Sequence, residues 1–534
     1  MCLRTKLVAG LFGVCLAADA YAQVVASGLD DVSPWAIDFV GEDETKLSST
    51  LWTASDPDTL LALMRRTRTR NLTPGEQMLL RQLVFSSGDA PDIDQSNELM
   101  AERARILLEI GEADAAATLF PLLSDTVGEL EPEEIAIDLL VGLGNEESAC
   151  AASESEAREG AFWAKLRATC FALDDNGSAA ELALELAISE GVDDPWFYEA
   201  VFAAVGIAPE TPTARYDSGI ALALSKKAGL PVPSDAIANS RADLSAAIAV
   251  SSDLEPSLRV QAAGTSAEMG LIGATEHRDA YQALLDLESF EPRTPLEIAI
   301  AANWVGEEAV DTKARTLNAA LSTAQGSAAR YHAVSRLLQD DINSLPKSQV
   351  TARYSLAFAR ANLAADDLIS SEEWLEAFSQ SESGGENPFD IAWMLGLIRL
   401  ADGALVPDAE DNLGTQLAEL ADTPAKRSAM RRLLVLWSAF DLPLGPTARE
   451  ALTADPNEEG EPVFPMLLRS INAAADEGAA AESALQTLKL TSGDPSTVRA
   501  SDMSQLLEAL QVVGASNAAR QLALESTGFW KREL

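Results

Sequence analysis

The 534-residue chain sets 83 acidic side chains against 39 basic ones, a formal charge of −44. That excess excludes nucleic acid and anionic membrane surfaces as partners, because both repel it. The hydrophobic fraction of 47% is ample for a folded body, whereas two histidines and four cysteines leave little material for metal or nucleophilic chemistry.

Met1–Ala22 reads as a secretory signal peptide. Arg4 and Lys6 give it a positive start, Leu7–Ala18 is apolar, and Ala20 and Ala22 supply the small residues that cleavage requires. Cleavage is predicted after Ala22, which makes the chain periplasmic or secreted. The apolar run is shorter than the roughly 20 residues needed to span a bilayer. Val14 before Cys15 does not suit lipidation. The later apolar stretches 391–400 and 433–440 are also short, so no membrane span is expected once the signal is removed.

Residues 23–55 form a polar lead-in with Gly28, Pro34 and the acidic run Glu42–Glu44. Extended or irregular structure is expected there, with Trp35, Ile37, Phe39 and Val40 docking it onto the body.

From residue 56 to 534 the sequence predicts helix after helix. Polar capping residues stand before proline at Asp56-Pro57, Thr73-Pro74, Glu131-Pro132, Asp194-Pro195, Glu255-Pro256, Thr294-Pro295, Asn387-Pro388 and Thr423-Pro424. A cap followed by proline suits the first turn of a helix, where the proline nitrogen needs no acceptor. Glu76 after Thr73 and Glu297 after Thr294 complete capping boxes. Between the starts, apolar spacing is helical and gaps are short and polar, the pattern of antiparallel helix hairpins. No run alternates β-branched residues, so sheet content should be close to nil. The fold class expected is all-α: an irregular α-solenoid or superhelix of antiparallel hairpins with somewhat over twenty helices and with hinges near 230–235 and 381–387.

Candidate chemistry is sparse. Cys150 and Cys170 lie across one helix-to-helix connection and are either a disulfide or two separate buried thiols. Arg65, Arg66, Arg68 and Arg70 follow the apolar stretch Leu60–Met64. They are either cations at a helix C-terminus or a docking patch for an acidic partner or for the chain's own acidic surface. His277 and His332 fall in separate predicted helices with no catalytic motif around them. Ser344-Leu345-Pro346-Lys347 fits Ser-x-x-Lys by chance, since no Lys-Thr-Gly accompanies it and Pro346 marks a helix start. Acidic pairs such as Asp366-Asp367 read as helix caps. No cofactor, metal or enzymatic activity is expected.

Leu107–Ala116 with Phe120 joins an apolar helix end, a glycine and a small-residue helix. Here the chain resembles tetratricopeptide-type repeats, with Gly111, Ala116 and Phe120 at that family's turn glycine, second-helix alanine and following aromatic. The resemblance covers single hairpins, and no regular period of about 34 residues runs through the chain. It implies a helical-repeat architecture that offers a concave surface to a protein partner. The chain is similar to soluble lytic transglycosylases only in its superhelical character. The function expected is an exported interaction scaffold for a protein partner in the cell envelope; the alternative is a cell-wall-associated accessory factor or enzyme.

Overall fold

The computed structural model describes residues 33–531, apart from 42–44, 92–95, 124–130, 155–157, 209, 239, 307, 404–406 and 455–458. The predicted signal peptide Met1–Ala22, the first part of the lead-in and the run Glu42–Glu44 lie outside the described residues. The fold is all-α, with 27 α-helices and five short 3-10 helices among the described residues. Among the described residues the only β pairing is an isolated bridge between Glu461 and Val498. None of the described helices is long and apolar enough to cross a membrane.

Each residue–proline pair opens a helix, at Pro57, Pro74, Pro132, Pro195, Pro256, Pro295, Pro388 and Pro424. The caps work as the chemistry requires. Asp56 accepts from the Thr59 N–H, Asp194 from Phe197 and Thr423 from Lys426. Thr73 with Glu76 and Thr294 with Glu297 form reciprocal capping boxes, each satisfying two N–H groups that the helix itself leaves without an acceptor. Three further helices begin at Pro407, Pro446 and Pro465, after Val406, Gly445 and Phe464. None of those preceding residues carries a polar side chain, so the cap signal is missing from the sequence there. Pro346 opens no helix; it lies in the connection that follows the helix Ala328–Ser344.

Neighbouring helices pack in pairs. Ala161–Leu173 lies on Gly177–Ser189, Ala242–Val250 on Pro256–Glu268, Pro295–Trp304 on Val310–Ala324, and Ser355–Ala364 on Leu368–Ser379. In the hairpin built on Leu107–Phe120, Gly111 turns the chain with φ +88°, and Ala116 and Phe120 are buried. The stretch 381–387 contains a short helix, Glu382–Glu386, started by Ser381, whose hydroxyl accepts from the Gly384 N–H.

The two ends of the chain also meet. Pro74–Phe85 packs against both Ser516–Ser526 and Ala480–Thr491, and Pro57–Arg65 also touches Ala480–Thr491. Gly75 makes the approach possible: a Cβ there would stand 2.9 Å from the Leu522 backbone nitrogen. As a result one hydrophobic core joins residues from Trp35–Leu139 to residues from Tyr281–Trp530, while a second core is built from Ile137–Ala280 between them. A row of hairpins in contact only with their sequence neighbours would not close in this way.

Buried ionic groups hold the joints. Arg103 is fully buried, and its guanidinium donates to the carbonyls of Val84 (2.8 Å), Ile37 (3.1 Å), Ser86 (3.3 Å), Pro34 (3.4 Å) and Phe85 (3.5 Å). It thereby fastens the lead-in, where Trp35 is buried and Ile37, Phe39 and Val40 pack on the core, to the end of Pro74–Phe85. Arg432 does the same near the other terminus, donating to the carbonyls of Ser526 (2.9 Å), Ser496 (3.0 Å) and Val498. In the middle, buried Asp138 accepts from the Gly219 N–H (2.9 Å), the Ile220 N–H (3.1 Å) and Arg241 (2.6 Å), and Arg241 also grips Asp243. Asp138 therefore caps the helix Gly219–Ala228 from another hairpin.

Candidate binding cleft

Closure of the chain gathers segments far apart in sequence around one cleft of about 590 Å³. One wall is the helix Pro74–Phe85, which presents Gln77, Met78 and Arg81. The facing wall is Ser516–Ser526, with Asn517, Arg520, Gln521 and Leu524. His332 and Arg336 of Ala328–Ser344 line the floor and rim, and the turns at Glu112, Gly270 and Asp366 complete the border. Gln77 ties the wall to the rest by donating to the carbonyls of Leu72 (3.1 Å) and Glu268 (2.7 Å).

Three arginines in one cleft stand out in a chain of charge −44. Arg81 pairs with Glu112 at 2.8 Å and lies over the Phe85 ring at 4.2 Å. Arg520 donates to the Leu400 carbonyl at 3.3 Å and lies over Phe440 at 4.9 Å. Arg336 is exposed at the rim. The lining also carries Leu72, Met78, Ile110, Met269 and Leu524, so apolar area alternates with charge.

Behind the C-terminal wall lies a buried carboxyl pair. Glu525 is fully buried; its Oε1 accepts from the Gly75 N–H (2.8 Å) and from Gln521 Nε2 (3.0 Å). Burial pushes its pKa up to about 8, and the neighbouring Glu76 adds to the rise. At neutral pH Glu525 therefore keeps its proton. Glu76 is also buried. It accepts from the Thr491 hydroxyl, the Gly493 N–H (2.8 Å) and the Thr73 N–H (2.8 Å), and burial raises it as well. The two glutamates thus stitch the start of Pro74–Phe85 to the C-terminal helices.

Gln521 continues the line to His332: its amide nitrogen lies 3.4 Å from His332 Nε2. Burial, helped by the Arg336 charge, holds His332 down to about 3, so the ring is neutral and Nε2 accepts from the amide. His277 is buried elsewhere, against Tyr281, and burial holds it to about 4. Both histidines are buried, His332 beside the cleft and His277 away from it. Ser344 of the Ser-x-x-Lys match donates to the Asp341 carbonyl, and Lys347 pairs with Glu373. Asp367 caps the next helix through the Ser370 N–H. Among the described residues no group of three or more His, Cys, Asp or Glu side chains is arranged to hold a metal ion.

Cys150 and Cys170 form a disulfide that links Glu146–Ser153 to Ala161–Leu173, with their Cα atoms 5.7 Å apart. Arg65, Arg66, Arg68 and Arg70 are all exposed, and Arg66 and Arg68 border the same groove. Arg65 pairs with Glu98 (2.8 Å) and Glu102 (3.4 Å). Arg68 donates to the Ser492 carbonyl (2.7 Å) and so helps join the chain ends. Arg70 borders a second groove beside Asn71 and Leu72. The cleft residues Arg81, Arg336, Arg520 and Gln521 carry no local motif; only closure brings them together. No protein-family model, curated protein or solved structure matches this chain.

Proposed function

We propose that the chain is an exported, non-enzymatic interaction scaffold of the cell envelope, which holds a segment of a partner protein in the cleft between Pro74–Phe85 and Ser516–Ser526. The observation that carries this reading is the cleft itself: about 590 Å³, bordered by apolar side chains and three arginines in an otherwise acidic chain. A lining of that kind suits a peptide segment bearing both apolar and acidic side chains. Its walls are fastened by buried hydrogen bonds, so the site exists before a partner arrives and little ordering cost opposes binding. Export follows from the signal-like N-terminus.

Met78 and Arg336 are exposed on the two sides of the cleft, so changing them spares the core. Affinity purification of the chain from envelope extracts, followed by mass spectrometry, should recover a partner with the wild type and lose it with the double variant Met78→Arg/Arg336→Glu. Recovery of nothing above background, or equal recovery with both proteins, would contradict the reading.

A further inference from the structure

A second surface lies far from the cleft in sequence, on the helix Gly177–Ser189. That helix buries Ala180, Ala183, Leu184 and Ala187 and packs on Ala161–Leu173 and Pro195–Ala204. Its other side is bare and mixes apolar with polar groups: Leu182 is 69% exposed, Ile188 52% and Leu186 46%, beside exposed Ser178, Glu181, Glu185 and Ser189. Leu182 and Leu186 stand one turn apart. At 3.6 residues per turn, Glu181 and Glu185 fall between that pair and Ile188. The exposed arc is therefore an apolar stripe, an acidic stripe and a second apolar edge. From Phe171 to Ala214 the chain has no lysine or arginine at all, and Glu181, Glu185 and Glu190 are exposed. The disulfide Cys150–Cys170 braces the helix on which this surface rests.

Exposed leucines at helical spacing lose less by meeting an apolar partner than by staying in water. The acidic stripe between them selects the sign of that partner. A second copy of the chain would set acid against acid, and an anionic membrane would be repelled for the same reason. We propose that the outer face of Gly177–Ser189 is a docking surface for a cationic amphipathic helix of a partner protein, distinct from the cleft. Leu182 and Leu186 take its apolar side, and Glu181 and Glu185 face its lysines or arginines.

The test uses the chain from Gln23 onward and a fluorescein-labelled peptide of leucine and lysine at amphipathic helical spacing, with binding read by fluorescence anisotropy. A control peptide has the same composition scrambled out of helical register. The ordered peptide is expected to bind about tenfold more tightly than the scrambled one. Leu182→Ser/Leu186→Ser and, separately, Glu181→Lys/Glu185→Lys should each abolish that advantage while thermal melting stays unchanged, because all four positions are exposed. The cleft variant Met78→Arg/Arg336→Glu should keep it. Equal binding of the two peptides, or an advantage that survives Leu182→Ser/Leu186→Ser, would overturn the proposal by showing only general attraction to an acidic surface. Loss of the advantage in the cleft variant would also overturn it and would move the binding to the cleft, leaving the scaffold reading intact.

Discussion

Glu525→Gln should make the protein more stable at pH 8 than the wild type and should flatten its pH dependence above pH 6.5. The native state holds the Glu525 proton up to about pH 8, whereas an unfolded glutamate releases it near its ordinary value of about 4.5. A raised native pKa gives stability that is complete below the unfolded value and is lost as pH rises through the native one. The slope is about 1.4 kcal/mol per pH unit for a single group, so wild-type stability should fall by roughly 2 kcal/mol between pH 6.5 and 8. That window is clean of histidine effects. His277 and His332 have depressed native values near 4 and 3, so their contribution is complete above about 6.5 and is lost only on acidification. Glutamine keeps an acceptor for the Gly75 N–H and has no proton to lose. Urea unfolding of both proteins from pH 6.5 to 8.5 measures the difference. An equally steep decline in the variant would show that Glu525 is not the group responsible.

Arg103→Met should destabilise the protein by about 3 kcal/mol or more. Methionine fills much of the space, but five carbonyls lose this donor; that of Phe85 keeps the Phe39 N–H and that of Pro34 the Ile37 N–H, while those of Val84, Ile37 and Ser86 lose the guanidinium. Hydrogen bonds to a charged group contribute about 1.5–3 kcal/mol each, and an abandoned buried acceptor costs its desolvation as well. Burial lowers the Arg103 pKa to about 10, so the group remains a cation at neutral pH, and it lies 5.7 Å from the Phe39 ring and 5.9 Å from Trp52. Arg103→Lys should lose most of the same stability, because one ammonium cannot fork to carbonyls on both the lead-in and the helix end. Urea midpoints and limited proteolysis between residues 33 and 55 report the effect. A shift below 1 kcal/mol with an intact lead-in would show that apolar packing alone holds that segment.

Much of the fold is legible locally. A cap residue, a proline and a glutamate at the third helical position state a helix start within four residues, and Thr73–Glu76 and Thr294–Glu297 carry that signal in full. Pro407, Pro446 and Pro465 lack it and go unseen. Closure is illegible for a different reason. Gly75 reads as one more residue of a first turn, and nothing near it announces Leu522 or Glu525. Glu76 reads correctly as a capping-box residue, yet its other oxygen serves Thr491 and Gly493, more than 400 positions away. The exposed cluster Arg65–Arg70 is visible in sequence, whereas the partners of Arg65 and Arg68, which are Glu98, Glu102 and the Ser492 carbonyl, are not. The cleft inherits this blindness, since every wall depends on the joining of the ends.

That joining is the central claim, and a cysteine pair tests it directly. The Thr50 hydroxyl of the lead-in lies 3.5 Å from the Gly478 carbonyl, and a Cβ at Gly478 would stand 3.4 Å from Thr50 Oγ1, a spacing within reach of a disulfide. Gly478 has φ +79°, so a side chain there carries about 1–2 kcal/mol of backbone strain, small for a chain of this size. In the double variant Thr50→Cys/Gly478→Cys, mild oxidation followed by non-reducing peptide mapping should recover a crosslink between the two new cysteines within a single chain. Two new thiols that stay open to labelling, in protein that melts like the wild type, would contradict the closure and with it the cleft.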